Sequence, residues 1–191
     1  MAILLSQKQM YAAAAIISGG GIVGIRTETV WGVASNLQSA SKIFVAKNRP
    51  VDKNLVLQFA SLKDVLKYFE GNISKIEQKL FKKFKSGLTI ALSQNIAVRI
   101  PADPVTRKFL HICNPPLVVT SANISGQEPA KTWQQVYESL GERIDAIIVS
   151  SPCKLGTPST IIKITNDKLE IIRQGIIPEE KIKNYLSKFV D

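Results

Sequence analysis

Apolar residues along the chain fall into two alternating patterns, helical stretches at a 3.6-residue period and short runs of buried-strand character. The alanine-rich segment SQKQMYAAAAII predicts a helix opened by a capping box of Ser6 and Gln9. The glycines at 19–21 end it, and Ile22–Ile25 follows as a short strand that runs into the polar loop TETVWG. Ser39 is placed to cap a helix through SASKIFVAKN, with Pro50 as its stop. Leu55–Phe59 predicts a strand, and Ser61 with Asp64 opens the helix SLKDVLKYF. A lysine-rich helix, ISKIEQKLFKKFK, comes next. Two strands, Leu88–Leu92 and Ile96–Ile100, are joined by a tight turn at 93–95. Asp103–Leu110 is helical, Leu117–Thr120 is a buried strand, and SANISG is the loop beyond it. Thr132 and Gln135 form a capping box for TWQQVYESL. Strands at Ile144–Val149, Thr160–Thr165 and Leu169–Arg173 precede a last helix started by Pro178 and two glutamates. The pattern predicts one α/β domain over residues 1–191. Its sheet is mixed, because 88–100 forms an antiparallel hairpin inside an otherwise alternating order.

Composition narrows the function. With 45% hydrophobic and 21% charged residues, the 191-residue chain is ordinary for a globular protein. No apolar stretch approaches the ~18 residues of a membrane span, and the start MAILLSQKQ has no signal-peptide pattern. A cytoplasmic protein is expected. Cys113 and Cys153 are far apart and suggest neither a disulfide framework nor zinc. His111 is the one histidine, so histidine-dependent nucleophilic catalysis would rest on it alone. The net charge of +10 favours an anionic partner, either nucleotide phosphate or RNA. Lys75, Lys79, Lys82, Lys83 and Lys85 concentrate part of that charge on one helix. Two readings stand for them: the solvated face of an amphipathic helix over Ile73, Ile76, Leu80, Phe81 and Phe84, or an RNA-contacting patch.

The stretch GGGIVG, residues 19–24, satisfies G-x-G-x-x-G formally, but it closes a helix and enters a strand, the reverse of a dinucleotide fingerprint. A P-loop would need Gly-Lys-Ser/Thr, and Gly24 is followed by Ile25. Candidate chemistry lies in polar clusters at element ends. Lys47, Arg49 and Lys53 surround a helix C-terminus. One cation would compensate the helix dipole, whereas three suit a polyanion such as a triphosphate. Thr120–Asn123 places small hydrogen-bonding groups after a Val-Val strand, as a turn or as an orienting shell for a ligand. Arg99 stands in an apolar strand, where it must meet a protein carboxylate or a ligand carboxylate. Ser159-Thr160 begins a strand and also offers hydroxyls.

RTETVWG, KNRPVDKNL, GLTIAL, AVRIPADP, TSANISG, PSTII and IRQG occur in this order over residues 26–175. Together they resemble the YrdC family, the threonylcarbamoyl-AMP synthases, and the size is similar to the short single-domain bacterial type (TsaC). The resemblance implies a twisted mixed α/β sheet with a concave basic groove. It implies a nucleotidyltransferase that makes threonylcarbamoyl-adenylate and pyrophosphate from L-threonine, bicarbonate or CO2, and ATP, with Mg²⁺ on the phosphates. The product serves threonylcarbamoyladenosine modification of tRNA, through partner proteins. Motif by motif, it implies ATP-site roles for Lys47, Arg49, Lys53, Ser121, Asn123, Thr132 and Arg173. The threonine site would use Thr27, Gln58, Arg99 and Ser159. No protein nucleophile is required, and Glu28 is a candidate proton acceptor by position only. Several residues depart from the pattern: Arg26 for Pro, Trp31 for Tyr, Asn54 for Pro, Gln58 for His, and a shortened 85–89 loop. The alternative function is a non-catalytic RNA-binding protein that uses the same cations in RNA or ribosome maturation.

Overall fold

A computed structural model describes the chain except residues 52, 53, 94, 115, 167, 190 and 191. Its strands are β1 (Ile3–Leu5), β2 (Val23–Ile25), β3 (Gly32–Ser35), β4 (Leu55–Gln58), β5 (Leu88–Ala91), β6 (Ile96–Arg99), β7 (Leu117–Ser121), β8 (Ala146–Ile148), β9 (Thr160–Thr165) and β10 (Lys168–Arg173). The helices are α1 (Met10–Ser18), α2 (Ala40–Ala46), α3 (Leu62–Tyr68), α4 (Lys75–Lys83), α5 (Pro104–Cys113), α6 (Trp133–Leu140) and α7 (Glu179–Leu186). The strands form a single sheet in the order β1-β8-β2-β3-β7-β4-β6-β5-β9-β10. Pairs β1/β8, β2/β8, β4/β6 and β5/β9 are parallel. The remaining pairs are antiparallel, including the expected β5/β6 hairpin.

Period-2 alternation sorts each central strand between two faces. Leu57, Ile90, Val98, Val118 and Ile162 join a large cluster that α2, α3, α4, α6 and α7 cover with Ile43, Val65, Leu80, Leu140 and Ile182. On the other face, α1 and α5 cover β8, β2, β3 and β7 through Met10, Ala13, Ile17, Phe109 and Leu110. The β4–β6–β5–β9 part of that face carries small and polar residues, among them Gln58, Arg99, Thr89 and Ala97, and lines a cavity instead. One alternation thus builds the core and the site back to back.

Most helix signals act as predicted. Ser6 N–H donates to Gln9 Oε1 (2.9 Å), first in a 3₁₀ turn at Gln7–Gln9 that leads into α1. Gly20 turns the chain beyond α1 at φ +81°, a left-handed conformation that favours glycine. Ser61 accepts the N3 amide of α3, and Ser74, not among the predicted caps, does the same for α4.

Other signals act differently. Ser39 stands at the start of α2 without a side-chain capping bond, and its N–H is taken by Asn36 Oδ1 at 2.8 Å. Pro50 does not stop α2. The helix closes earlier at Asn48, which is left-handed at φ 50°, with Arg49 N–H reaching back to Phe44 O at 2.8 Å. Helix α5 continues past Leu110 to Cys113 because its left-handed stop is Asn114, at φ 58°. Thr132 caps α6, but the Gln135 side chain accepts from Lys131 N–H rather than closing the box. Strands β1 and β3 lay outside the predicted set. The run Gly-Val-Ala-Ser of β3 has no hydrophobic period, and its pairing with β2 and β7 makes it a strand. Exposed Lys75, Lys79, Lys82 and Lys83 ride over buried Leu80 and Phe81 on α4, with Lys79 Nζ 3.7 Å above the Phe189 ring.

Candidate active site

The cavity holds about 590 Å³ and opens on the part of the sheet face that α1 and α5 leave uncovered. Strand register sets its inner end. Gln58 on β4 is the register partner of Arg99 on β6, and Arg99 is the partner of Thr89 on β5. All are buried. The row continues into Ser159, whose hydroxyl lies 2.8 Å from Thr89 Oγ1. Arg173 Nη2 then donates to the Ser159 carbonyl at 2.8 Å and to its hydroxyl at 3.2 Å. Gly175 permits this closure, since a Cβ there would sit 2.4 Å from the Ser159 carbonyl carbon.

Arg99 answers the puzzle of a guanidinium in an apolar strand in two ways at once. Its Nη2 donates to Glu28 Oε1 (2.8 Å) and Thr29 Oγ1 (2.7 Å), so the TET loop brings a carboxylate to it. Its Nε, also buried, has no partner among the described residues, and Arg99 lines the cavity. Gln58 Oε1 and Trp31 Nε1 are likewise buried, unpartnered and borne on lining residues. Such groups are costly to bury without a partner, so they mark where a ligand makes its polar contacts. Thr27 fixes the loop by donating to Val30 O at 2.7 Å. Arg26 ties it to α5 through Asp103 and to Ser151. The polar TET loop is therefore buried: Thr27, Glu28 and Thr29 are each under 5% exposed.

The outer end is built from the loop after α2 and from the ends of β7 and β10. Arg49 lines it with Asn54, Thr120 and Ser121, and Arg49 Nη2 donates to Asn54 O at 3.2 Å. Arg49, Arg99 and Arg173 thus share one cavity, and no described lining residue is acidic. Burial, followed by the charges of Arg99 and Arg49, depresses the Arg173 pKa below the arginine norm.

Of the residues singled out in the sequence, Thr27, Arg49, Gln58, Arg99, Ser121, Ser159 and Arg173 line the cavity together. Lys47 and Asn123 stand behind Ser121 rather than in the lining. The Lys47 ammonium is buried and donates to the backbone carbonyls of Ser121 and Asn123, holding the SANISG loop in place. Burial first, and then the Arg49 charge, lower its pKa to about 8. Thr132 caps α6 outside the lining. Lys53 lies outside the described residues. Thr89 went unnoticed in the sequence. Its signal was available, because a hairpin turning at 93–95 puts residues 89 and 99 opposite one another.

A family model described as Sua5/YciO/YrdC, telomere recombination, matches residues 15–175. The chain belongs to the Sua5/YciO/YrdC family. The match spans every cavity-lining residue. Among relatives of this Sua5/YciO/YrdC chain, a Methanocaldococcus jannaschii protein is 33% identical over 181 residues, covering 87% of this chain and 85% of its own. The threonylcarbamoyl-AMP synthase of Photobacterium profundum is 30% identical over 177 residues, 83% of this chain and 95% of that one. The crystal structure of P. abyssi Sua5 complexed with L-threonine superposes with a TM-score of 0.86, and a doubly substituted P. abyssi Sua5 with 0.87. That complex shares 27% identity and covers 96% of this chain, which spans 60% of the Sua5 chain.

Proposed function

We propose that this protein is a threonylcarbamoyl-AMP synthase, a nucleotidyltransferase that joins L-threonine, CO2 from bicarbonate, and ATP and releases pyrophosphate. The observation that carries the reading is the shared cavity: a buried arginine flanked by an amide and two hydroxyls at one end, and further guanidiniums toward the other. The first end suits an amino acid, the second a triphosphate. The names of relatives support the same reading.

The threonine amine attacks CO2, forming the C–N bond of a carbamate and releasing a proton. A carbamate oxygen then attacks the α-phosphorus, and the bond to pyrophosphate breaks. The protein's part is positioning and charge compensation. Arg99 holds the threonine carboxylate through its unpartnered Nε, with Thr27 fixing the loop beside it. Gln58 Oε1 accepts from the amine. Arg49 and Arg173 offset charge on the phosphates, while Ser121, whose carbonyl Lys47 holds, borders the nucleotide. Glu28 is engaged with Arg99 and lies outside the described lining, which favours an orienting role over proton transfer. Among the described residues, no group of three metal-ligand side chains stands together. Mg²⁺ would arrive on the ATP phosphates as part of the substrate.

The product would pass to partner proteins for tRNA threonylcarbamoyladenosine modification. A purely RNA-binding role has no use for an unpartnered amide and a hydroxyl couple around a buried arginine. No described helix is long and apolar enough to cross a membrane. The test is pyrophosphate release in ATP, Mg²⁺ and bicarbonate, with and without L-threonine, the adduct being identified by mass. Release that requires threonine is expected, and release indifferent to threonine would end the proposal.

A further inference from the structure

We propose that Thr89, acting as a couple with Ser159, is the residue that selects a hydroxylated amino acid over its plain aliphatic isostere. This rests on the synthase reading and names the substrate feature that the inner end recognises.

The two hydroxyl oxygens are 2.8 Å apart, and both residues are at most 3% exposed. Each hydroxyl carries one hydrogen and accepts through its lone pairs. One of the two hydrogens is spent in the bond between them. Arg173 donates to Ser159 Oγ at 3.2 Å, which consumes a lone pair and no hydrogen. One hydroxyl hydrogen of the couple is therefore left without an acceptor among the described residues. Both residues line the cavity, so the acceptor for that hydrogen is an oxygen of the ligand.

Register shows which oxygen. Thr89 stands directly across from Arg99, and Gln58 stands across from Arg99 on its other side. Neighbouring strands are about 4.8 Å apart, so amide, guanidinium and hydroxyl couple form a row roughly 10 Å long. The guanidinium takes the carboxylate, the amide acceptor faces the amine, and the couple is left for a third polar group. In a hydroxy amino acid, that group is the side-chain hydroxyl. Ala91, Ala97 and Ile161 on the same strand faces supply the apolar wall beside it. A couple fixed in this way also penalises the wrong substrate. A valine side chain leaves a buried hydroxyl hydrogen unsatisfied, and sites built to bond a substrate hydroxyl reject analogues lacking it by ~10⁴ or more. An apolar wall distinguishes a single methyl group only by about 10–200-fold. Discrimination against valine should therefore exceed discrimination against serine.

Calorimetric titration of L-threonine, L-serine and L-valine into wild-type, Thr89→Val and Thr89→Ser proteins tests this, with ATP binding and the thermal midpoint followed alongside. Thr89→Val keeps the shape and removes the hydroxyl. The expected result is that its threonine affinity falls at least tenfold while ATP affinity stays within twofold, so that the threonine-to-valine ratio narrows at least tenfold. Thr89→Ser should keep most of the ratio. An unchanged ratio in Thr89→Val overturns the proposal. So does an equal loss for threonine and valine, which would place the couple on the carboxylate. Loss of all binding in Thr89→Val leaves the decision to Thr89→Ser, where a ratio that collapses despite the retained hydroxyl counts against the couple. Wild-type protein that binds ATP but no threonine would overturn the synthase reading itself, a distinct result from a wild type that binds threonine with no selectivity.

Discussion

The two ends of the cavity are made differently. At the inner end Gln58, Arg99 and Thr89 lie on adjacent strands, are at most 6% exposed, and take their spacing from backbone hydrogen bonds. At the outer end Arg49 and Asn54 come from a loop, and Arg173 comes from the terminal strand β10, its guanidinium packed on Ser159. Ser159 joins the ends, bonded to Thr89 on one side and Arg173 on the other. A sheet floor suits a small ligand whose few atoms must be read one by one. Loops and long cations suit a flexible polyanion, where total charge counts for more than an ångström of placement.

Breaking the inner end should have the largest effect. Arg99→Ala leaves Glu28 buried without its partner, a change that costs about 3–5 kcal/mol of stability in comparable buried pairs. Threonine-dependent pyrophosphate release should vanish, and urea denaturation should register the loss. The double change Arg99→Met with Glu28→Gln should regain most of the stability and none of the threonine dependence. Recovery of threonine dependence in that variant would show that Arg99 is structural only.

At the outer end, Arg49→Ala should raise the KM for ATP about 10–100-fold, the worth of one or two charge-assisted hydrogen bonds. Its threonine affinity should change little. A fall in both affinities together would deny that the ends are separable.

Lys47 supplies a pH test. Burial and the Arg49 charge lower its pKa to about 8, below the 10.5 of a free lysine. Folded protein thus loses this proton while unfolded protein still holds it, and folding stability should rise with pH between about 8 and 10.5. Anion affinity should move oppositely, since the outer end loses a nearby positive charge above pH 8. Calorimetry should show ATP binding weakening several-fold from pH 7 to 9, and Lys47→Gln should flatten that slope.

The smallest effect sharpens the comparison through salt. Screening reaches exposed charges more than buried ones, with a Debye length of about 10 Å at 0.1 M. Raising NaCl should weaken ATP binding more than threonine binding. Equal sensitivity would mean that both ends are open to solvent.

Local patterns in the sequence were enough for the β5/β6 hairpin, for the strands β9 and β10, for most helices, and for the α/β class with a mixed sheet. Alternation and capping act over a few residues, so one sequence window contains the whole signal. The motif residues of the site were also legible as candidates. Tertiary structure decided which of them meet. Glu28 reaches Arg99 across 71 positions of sequence, and Thr89 reaches Ser159 across 70. It also turned Lys47 inward to carbonyls, placed Thr132 outside the cavity, and made a strand of Gly32–Ser35. The physical reason is the same in each case. A charge or hydroxyl in a sequence states what it can bond to, but partners so far apart are set by strand order and register, which no local window contains.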